Sequence, residues 1–128
     1  MPIELNHTIV HARDPQASAT FLAEILGRDA PVRFGPFHAV ALDNRVTLDF
    51  IQAGDQLTIE HYAFLVSEAE FDLIFERIQA RHLAYWADPA HQQPGRINHH
   101  DGGRGVYWND LDGHYLEIIT RPYGSGLT

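Results

Sequence analysis

The stretch Gly105–Ile118, "GVYWNDLDGHYLEI", decides how this chain is read. It describes a strand, a tight turn at Asp112-Gly113 and a second strand. Inside the second strand one carboxylate, Glu117, stands between Leu116 and Ile118. An unpaired buried carboxylate is costly, so this one either faces water or has a strong partner. The rest of the chain has to supply that partner.

Upstream, two segments run in parallel. "LNHTIVHARDPQASATFLAEIL" from Leu5 and "IEHYAFLVSEAEFDLIFERIQA" from Ile59 align so that His7 falls on His61. Each offers a short strand with a histidine at its third position, a polar break and an amphipathic helix. In the second copy Phe71, Ile74, Phe75 and Ile78 mark one buried helical face, and Ser67 with Glu70 forms a capping box. In the first copy Asp14 is the N-cap and Pro15 fits the first helical turn. Phe21, Leu22, Ile25 and Leu26 form its apolar face, and Gly27 ends it.

Three strands are expected after each helix. In the first half they fall near Val32–Phe34, Phe37–Leu42 and Val46–Ile51, with a turn at Asp43-Asn44. In the second half they fall near Leu83–Ala87, Arg104–Asn109 and His114–Thr120. "LDNRVTLDFI" parallels "LDGHYLEI" with one extra residue, which puts Asp49 in the place of Glu117. Between the first two strands of the second half lies "DPAHQQPGRINHHDGG", a loop of a length that is more often functional than idle.

The chain has 128 residues, 45% hydrophobic and 20% charged, enough for an ordinary core in one domain or two small fused halves. The formal charge is −8 and the chain has no lysine; nine arginines and nine histidines are its basic side chains. That balance argues against nucleic acid or an anionic membrane as partner. The absence of cysteine excludes disulfides, thiolate metal sites and cysteine nucleophiles. "MPIELNHTIV" does not read as a signal peptide, and no apolar run is long enough to span a bilayer. The expectation is a soluble, cytoplasmic protein.

Paired β-α-β-β-β modules, a histidine on the first strand of each, and "GGRGVYWNDLDGHYLEI" closing the second resemble the vicinal oxygen chelate superfamily. That group includes glyoxalase I, fosfomycin-resistance transferases, extradiol dioxygenases and bleomycin-binding proteins. The resemblance runs from about Leu5 to about Thr120 and implies an α+β fold: tandem βαβββ modules, about 3–54 and 57–122, forming one domain over residues 1–128. The family fold is a curved, cup-like mixed sheet with helices outside. Carried over position by position, its metal ligands would be His7, His61 and Glu117. Strand alternation agrees: His7, Ile9 and His11 share a face, as do His61, Ala63 and Leu65, and Tyr115, Glu117 and Ile119. Two imidazoles and a carboxylate suit one divalent ion, Fe, Mn, Ni, Co or Zn.

Further candidates follow. His99 and His100 sit in the long loop and could act as acid or base, or simply be solvated. Arg104 could steer an anionic oxygen or pair with a surface acid. Tyr115 shares the face of Glu117, and either Tyr107 or Trp108 lines the pocket while its neighbour is core. His11, His38, His82, His91 and His114 have no position-specific role.

The resemblance implies an enzyme that binds vicinal oxygens of a small organic substrate, with dioxygenase-like or glyoxalase-like chemistry. Aspartate at position 49, where glyoxalase I has glutamate, is read as a pocket residue. "HYAF" at His61 resembles the fosfomycin group, but the lysine of that group's basic pocket has no counterpart. The alternative is a binding module that sequesters a drug or natural product by stacking on Trp86, Trp108 and Tyr115. Small members of the family form homodimers, often with sites built from both chains, so His7 of one chain could meet His61 and Glu117 of the other.

Overall fold

The computed structural model describes residues 2–126, and the chain forms two compact units, Met1–Thr58 and Ile59–Thr128. The first contains β1 (His7–Ala12), α1 (Pro15–Leu26), β2 (Val32–Phe34), β3 (Phe37–Ala41) and β4 (Thr47–Gln52). The second contains β5 (His61–Leu65), α2 (Glu68–Ala80), β6 (Tyr85–Trp86), β7 (Gly105–Asn109) and β8 (Tyr115–Ile119). Each is a four-stranded mixed sheet, ordered β1-β4-β3-β2 and β5-β8-β7-β6. The first and last strands of each unit pair in parallel, and the other pairs are antiparallel. The α+β, tandem βαβββ expectation therefore holds. Among the described residues no helix is long and apolar enough to cross a membrane.

The helix ends are where local chemistry puts them. Asp14 has extended backbone, and its carboxylate accepts from the Ala17 N–H at 3.1 Å. Gly27 takes the left-handed conformation, φ +68°, and the Arg28 N–H closes on the Ala23 carbonyl at 2.9 Å. In α2 the Ser67 hydroxyl accepts from the Glu70 N–H at 3.1 Å. Each helix buries one stripe. Phe21, Leu22, Ile25 and Leu26 lie inside the first unit with Val10, Val40, Leu48 and Phe50. Phe71, Ile74 and Ile78 lie inside the second with Val106, Trp108, Leu116 and Ile118. Each large apolar side chain fully buried this way contributes about 1.5–3 kcal/mol.

The register repeats between units. His7 stands opposite Thr47 and Ile9 opposite Asp49; His61 stands opposite Tyr115 and Ala63 opposite Glu117. Asp49 thus occupies the register position of Glu117. Three local details differ from the sequence expectation. The histidine opens β1 and β5 instead of sitting third. β6 shrinks to Tyr85–Trp86, because the Leu83 N–H closes the end of α2 on Ile78 and the Ala87 N–H bonds the loop carbonyl of Gln93. The β7–β8 connection is wider than a two-residue turn. The Asp110 carboxylate accepts from the N–H groups of Asp112 and His114 at 2.9 and 2.8 Å. His114 is fully buried, and its Nδ1 accepts from the Glu60 N–H at 2.9 Å, tying the starts of β8 and β5.

Candidate metal centre on the second sheet

β5 and β8 are adjacent and parallel, and one face of this pair carries His61, Ala63, Tyr115 and Glu117. The neighbours Phe64, Leu116 and Ile118 turn the other way into the core. His61 Nε2 lies 3.0 Å from Glu117 Oε1. The imidazole side chain is 46% exposed and the carboxylate 12%. Tyr107 on β7 is directly opposite Glu117 and hydrogen-bonds to it, and the Tyr107 ring is centred 5.7 Å from that of His61. Burial, then the contact with Glu117, pushes the Tyr107 hydroxyl well above the ordinary phenol range. It therefore keeps its proton and donates to the carboxylate. The neighbour Trp108 is fully buried on the core side, so it does not line this face.

The carboxylate inside an apolar strand thus has two partners. Their arrangement also suits a metal ion. Two ligand atoms each about 2.1 Å from one ion, at a right angle, lie about 3 Å apart. His61 Nε2 and Glu117 Oε1 meet that spacing, and the hydrogen bond from Tyr107 is the kind of support that orients a ligating carboxylate.

His7 opens β1 in the first unit and is exposed, with its Nδ1 2.8 Å from Asn6 Oδ1. Among the described residues, no three or more His, Cys, Asp or Glu side chains are gathered so as to hold a metal. Asp49 is half-buried, and one of its carboxylate oxygens is buried with no hydrogen-bond partner.

The loop candidates separate. His99 and His100 are exposed, and His100 begins a short 3-10 turn over His100–Gly102. Next to it the Asp101 carboxylate accepts from the N–H groups of Gly126 and Gly124 at 2.9 and 3.1 Å, which holds that carboxyl below its usual range. Arg104 is engaged on α2: its Nε and Nη1 donate to Glu68 and Asp72, each at 2.8 Å, and its guanidinium sits 4.3 Å from the centre of the Phe71 ring. Hydrogen bonds from Thr120 and then Arg104 lower the Glu68 carboxyl. Arg104, which immediately precedes β7, is thus tied to two acids of α2. The long loop is also tied down. Asn98 is buried, its Nδ2 donates to the Ala87 carbonyl at 2.8 Å, and a side chain at Gly105 would put its first carbon 2.8 Å from Asn98 Oδ1.

Tyr115 lies on the face of Glu117 with an unforeseen neighbour. The His91 ring stacks on Trp86 at 3.6 Å with the planes 5° apart, and on Tyr115 at 4.9 Å and 27°. Trp86 pairs with Tyr107 across β6 and β7, so all these rings belong to one face. No period or motif marks His91, because its place depends on how an irregular loop folds back.

No family model matches the chain. Among solved structures, oxidase ChaP-H1 is 62% identical, with a TM-score of 0.94 over 96% of this chain and 99% of that one. The glutathione transferase FosA of Serratia marcescens is 28% identical over 120 residues, 89% of this chain and 78% of that protein. The lactoylglutathione lyase of Agrobacterium tumefaciens shares the fold, with a TM-score of 0.70 at 18% identity over 92% of this chain and 93% of that one. With the repeated βαβββ register and these relatives together, the chain belongs to the vicinal oxygen chelate superfamily.

Proposed function

We propose that this chain is a divalent-metal enzyme that holds two vicinal oxygens of a small organic substrate and carries out dioxygenase-like oxidation. The observation that carries the reading is the His61–Glu117 pair, two good metal donors 3.0 Å apart on adjacent strands of one partly open face. The 62% identity to an oxidase supports an enzyme and favours oxidation over glyoxalase-like chemistry. Asp49 agrees, since its side chain is one methylene shorter than the glutamate of glyoxalase I. The likeness to FosA is lower, and the chain lacks any lysine for a basic pocket.

In this reading His61 and Glu117 are ligands and His7 completes the set, as the family pattern implies. The metal, when bound, supplies positive charge that stabilises negative charge developing on the substrate oxygens. Tyr107 holds the Glu117 carboxylate in one orientation through a phenol that stays protonated. Burial of Glu117 and Tyr107 keeps bulk water from that side of the pair, while His61 leaves the other side open for ligand entry. We further propose a homodimer in which His7 of one chain joins His61 and Glu117 of the other. The exposed apolar side chains Leu5, Ile9, Val32 and Phe34 of the first unit support a covering surface.

The second reading is a module that sequesters a ligand without metal, favoured by the Trp86–His91–Tyr115 stack on the same face. Elemental analysis of protein purified without an affinity tag separates the two. About one iron, manganese, nickel, cobalt or zinc per site, lost in Glu117→Ala, supports the enzyme. Protein that none of these ions can load, yet binds ligand, supports sequestration. Mixing His7→Ala with Glu117→Ala chains tests the shared site: regained metal binding supports it, and none overturns it.

A further inference from the structure

The parallel ladder between β5 and β8 opens with the Tyr115 N–H donating to the Glu60 carbonyl at 2.9 Å. In a parallel pair the same residue also donates its own N–H, one rung earlier, to a carbonyl of the facing strand. Here that carbonyl would belong to Gly113. The chain turns at Gly113, with φ +91°, and a side chain supplies the rung instead: the Glu60 N–H donates to His114 Nδ1 at 2.9 Å. His114 is held on several sides. It is fully buried, its N–H donates to the Asp110 carboxylate at 2.8 Å, and its carbonyl accepts from the Asp110 N–H at 3.0 Å. Its ring stands edge-on to that of Tyr62, with the centres 5.9 Å apart.

The residue after Glu60 is His61, which opens β5. β5 is an edge of its sheet, so within that sheet only β8 holds it. Chain segments fray first where few bonds hold them, and a frayed first rung would let His61 drift from Glu117. The first module provides a comparison. Its turn has the same backbone bonds: the Leu42 N–H meets the Val46 carbonyl at 2.8 Å, and the Thr47 N–H meets the Asn6 carbonyl at 3.1 Å. Val46 therefore stands where His114 stands, and both are buried. A valine side chain accepts no hydrogen bond. Turn and register thus do not require histidine. The imidazole is found in the module whose strand-opening histidine reaches a carboxylate.

We propose that His114 is a positioning residue for the metal pair: by accepting the Glu60 N–H it fixes the start of β5, which holds His61 Nε2 3.0 Å from Glu117 Oε1. It acts through the backbone, from the core side of the sheet. The inference rests on the proposed function, because the spacing it sets is that of two ligands to one ion.

The test loads full-length protein with cobalt(II), whose visible bands report ligand number and geometry, and measures affinity by chelator competition. His114→Leu fills the space without an acceptor; His114→Asn puts an amide oxygen at about the place of Nδ1. His114→Leu is expected to weaken cobalt binding about tenfold and to change the visible bands. His114→Asn should bind within about threefold of the wild type and keep its bands. Ile78→Val, a core change on α2, shows what lowered stability does by itself: a lower melting temperature with unchanged affinity and bands. Wild-type affinity and bands in His114→Leu overturn the proposal. So does an equal loss in His114→Asn, or the same loss in Ile78→Val. Should His114→Leu not fold, His114→Asn decides: retained affinity and bands support the role, and a loss of about tenfold overturns it. A wild-type chain that binds no cobalt overturns the metal reading and the positioning role with it, whereas a cobalt-binding wild type with an unaffected His114→Leu overturns the positioning role alone.

Discussion

In the first module the row Ile9, Asp49, Ala39 runs across β1, β4 and β3; in the second the matching row is Ala63, Glu117, Tyr107. The backbone positions are the same, but the carboxylates have different lives. Glu117 has an imidazole at 3.0 Å and a phenol donating to it. Asp49 stands between aliphatic neighbours and leaves one buried oxygen without a hydrogen bond. The strand-opening histidines differ too: His61 reaches Glu117, whereas His7 pairs with its neighbour Asn6 and is exposed. A repeated fold thus supplies two equivalent frames, and only in the second do side chains beside the carboxylate pair with it.

The sharpest break of this contrast is to exchange the carboxylates for alanine one at a time. Glu117→Ala is expected to reduce metal affinity by more than about a hundredfold, beyond the 10–100-fold typical of a residue that only supports a ligand. Asp49→Ala should change it by less than about threefold. Equal losses in the two variants, read by competitive chelator titration, would end the distinction.

Next in size is the support given to Glu117. Tyr107→Phe removes the donor and keeps the ring, and metal affinity should fall about tenfold. The same variant reports on alkaline stability. Tyr107 and Tyr62 both have hydroxyls raised by burial, Tyr62 to about 12. The unfolded hydroxyls titrate near pH 10, about the ordinary phenol value, and the folded ones hold their protons to higher pH. Their contribution is therefore complete below about pH 10 and is lost as pH rises through the folded values. Urea midpoints from pH 8 to 11.5 should fall for the wild type and fall less for Tyr107→Phe. Identical slopes would place the phenol outside the network.

The smallest effect concerns Arg104, which the sequence offered either as a steering residue or as a partner for acids. Its engagement with Glu68, Asp72 and the Phe71 ring predicts that Arg104→Ala costs about 1 kcal/mol of stability. Metal content and substrate KM should be unchanged. A raised KM at unaltered melting temperature would restore the steering role.

Much of this was legible in the chain. Helix ends at Asp14, Gly27 and Ser67 follow from short-range hydrogen bonding and backbone freedom, so the sequence reading and the structure agree there. The repeat was legible because a two-residue side-chain period and a helical period leave separate marks. That is why Asp49 could be aligned with Glu117 before any register was seen. The choice between Tyr107 and Trp108 was not legible, since both are large aromatics on one strand and only strand pairing decides which faces Glu117.

The sequence by itself determined the two modules, the faces of their strands and the equivalence of Asp49 with Glu117. These depend on interactions a few residues apart and on alternation along a strand. Only the tertiary structure decided which groups meet Glu117, that Arg104 fastens α2, and that His91 lies between Trp86 and Tyr115. Those contacts join residues from separate elements, and the one at His91 depends on a loop whose path is set by the Asp88 carboxylate and by backbone bonds to β6. No period along the chain encodes such a path, because the energy that fixes it comes from groups that become neighbours only on folding.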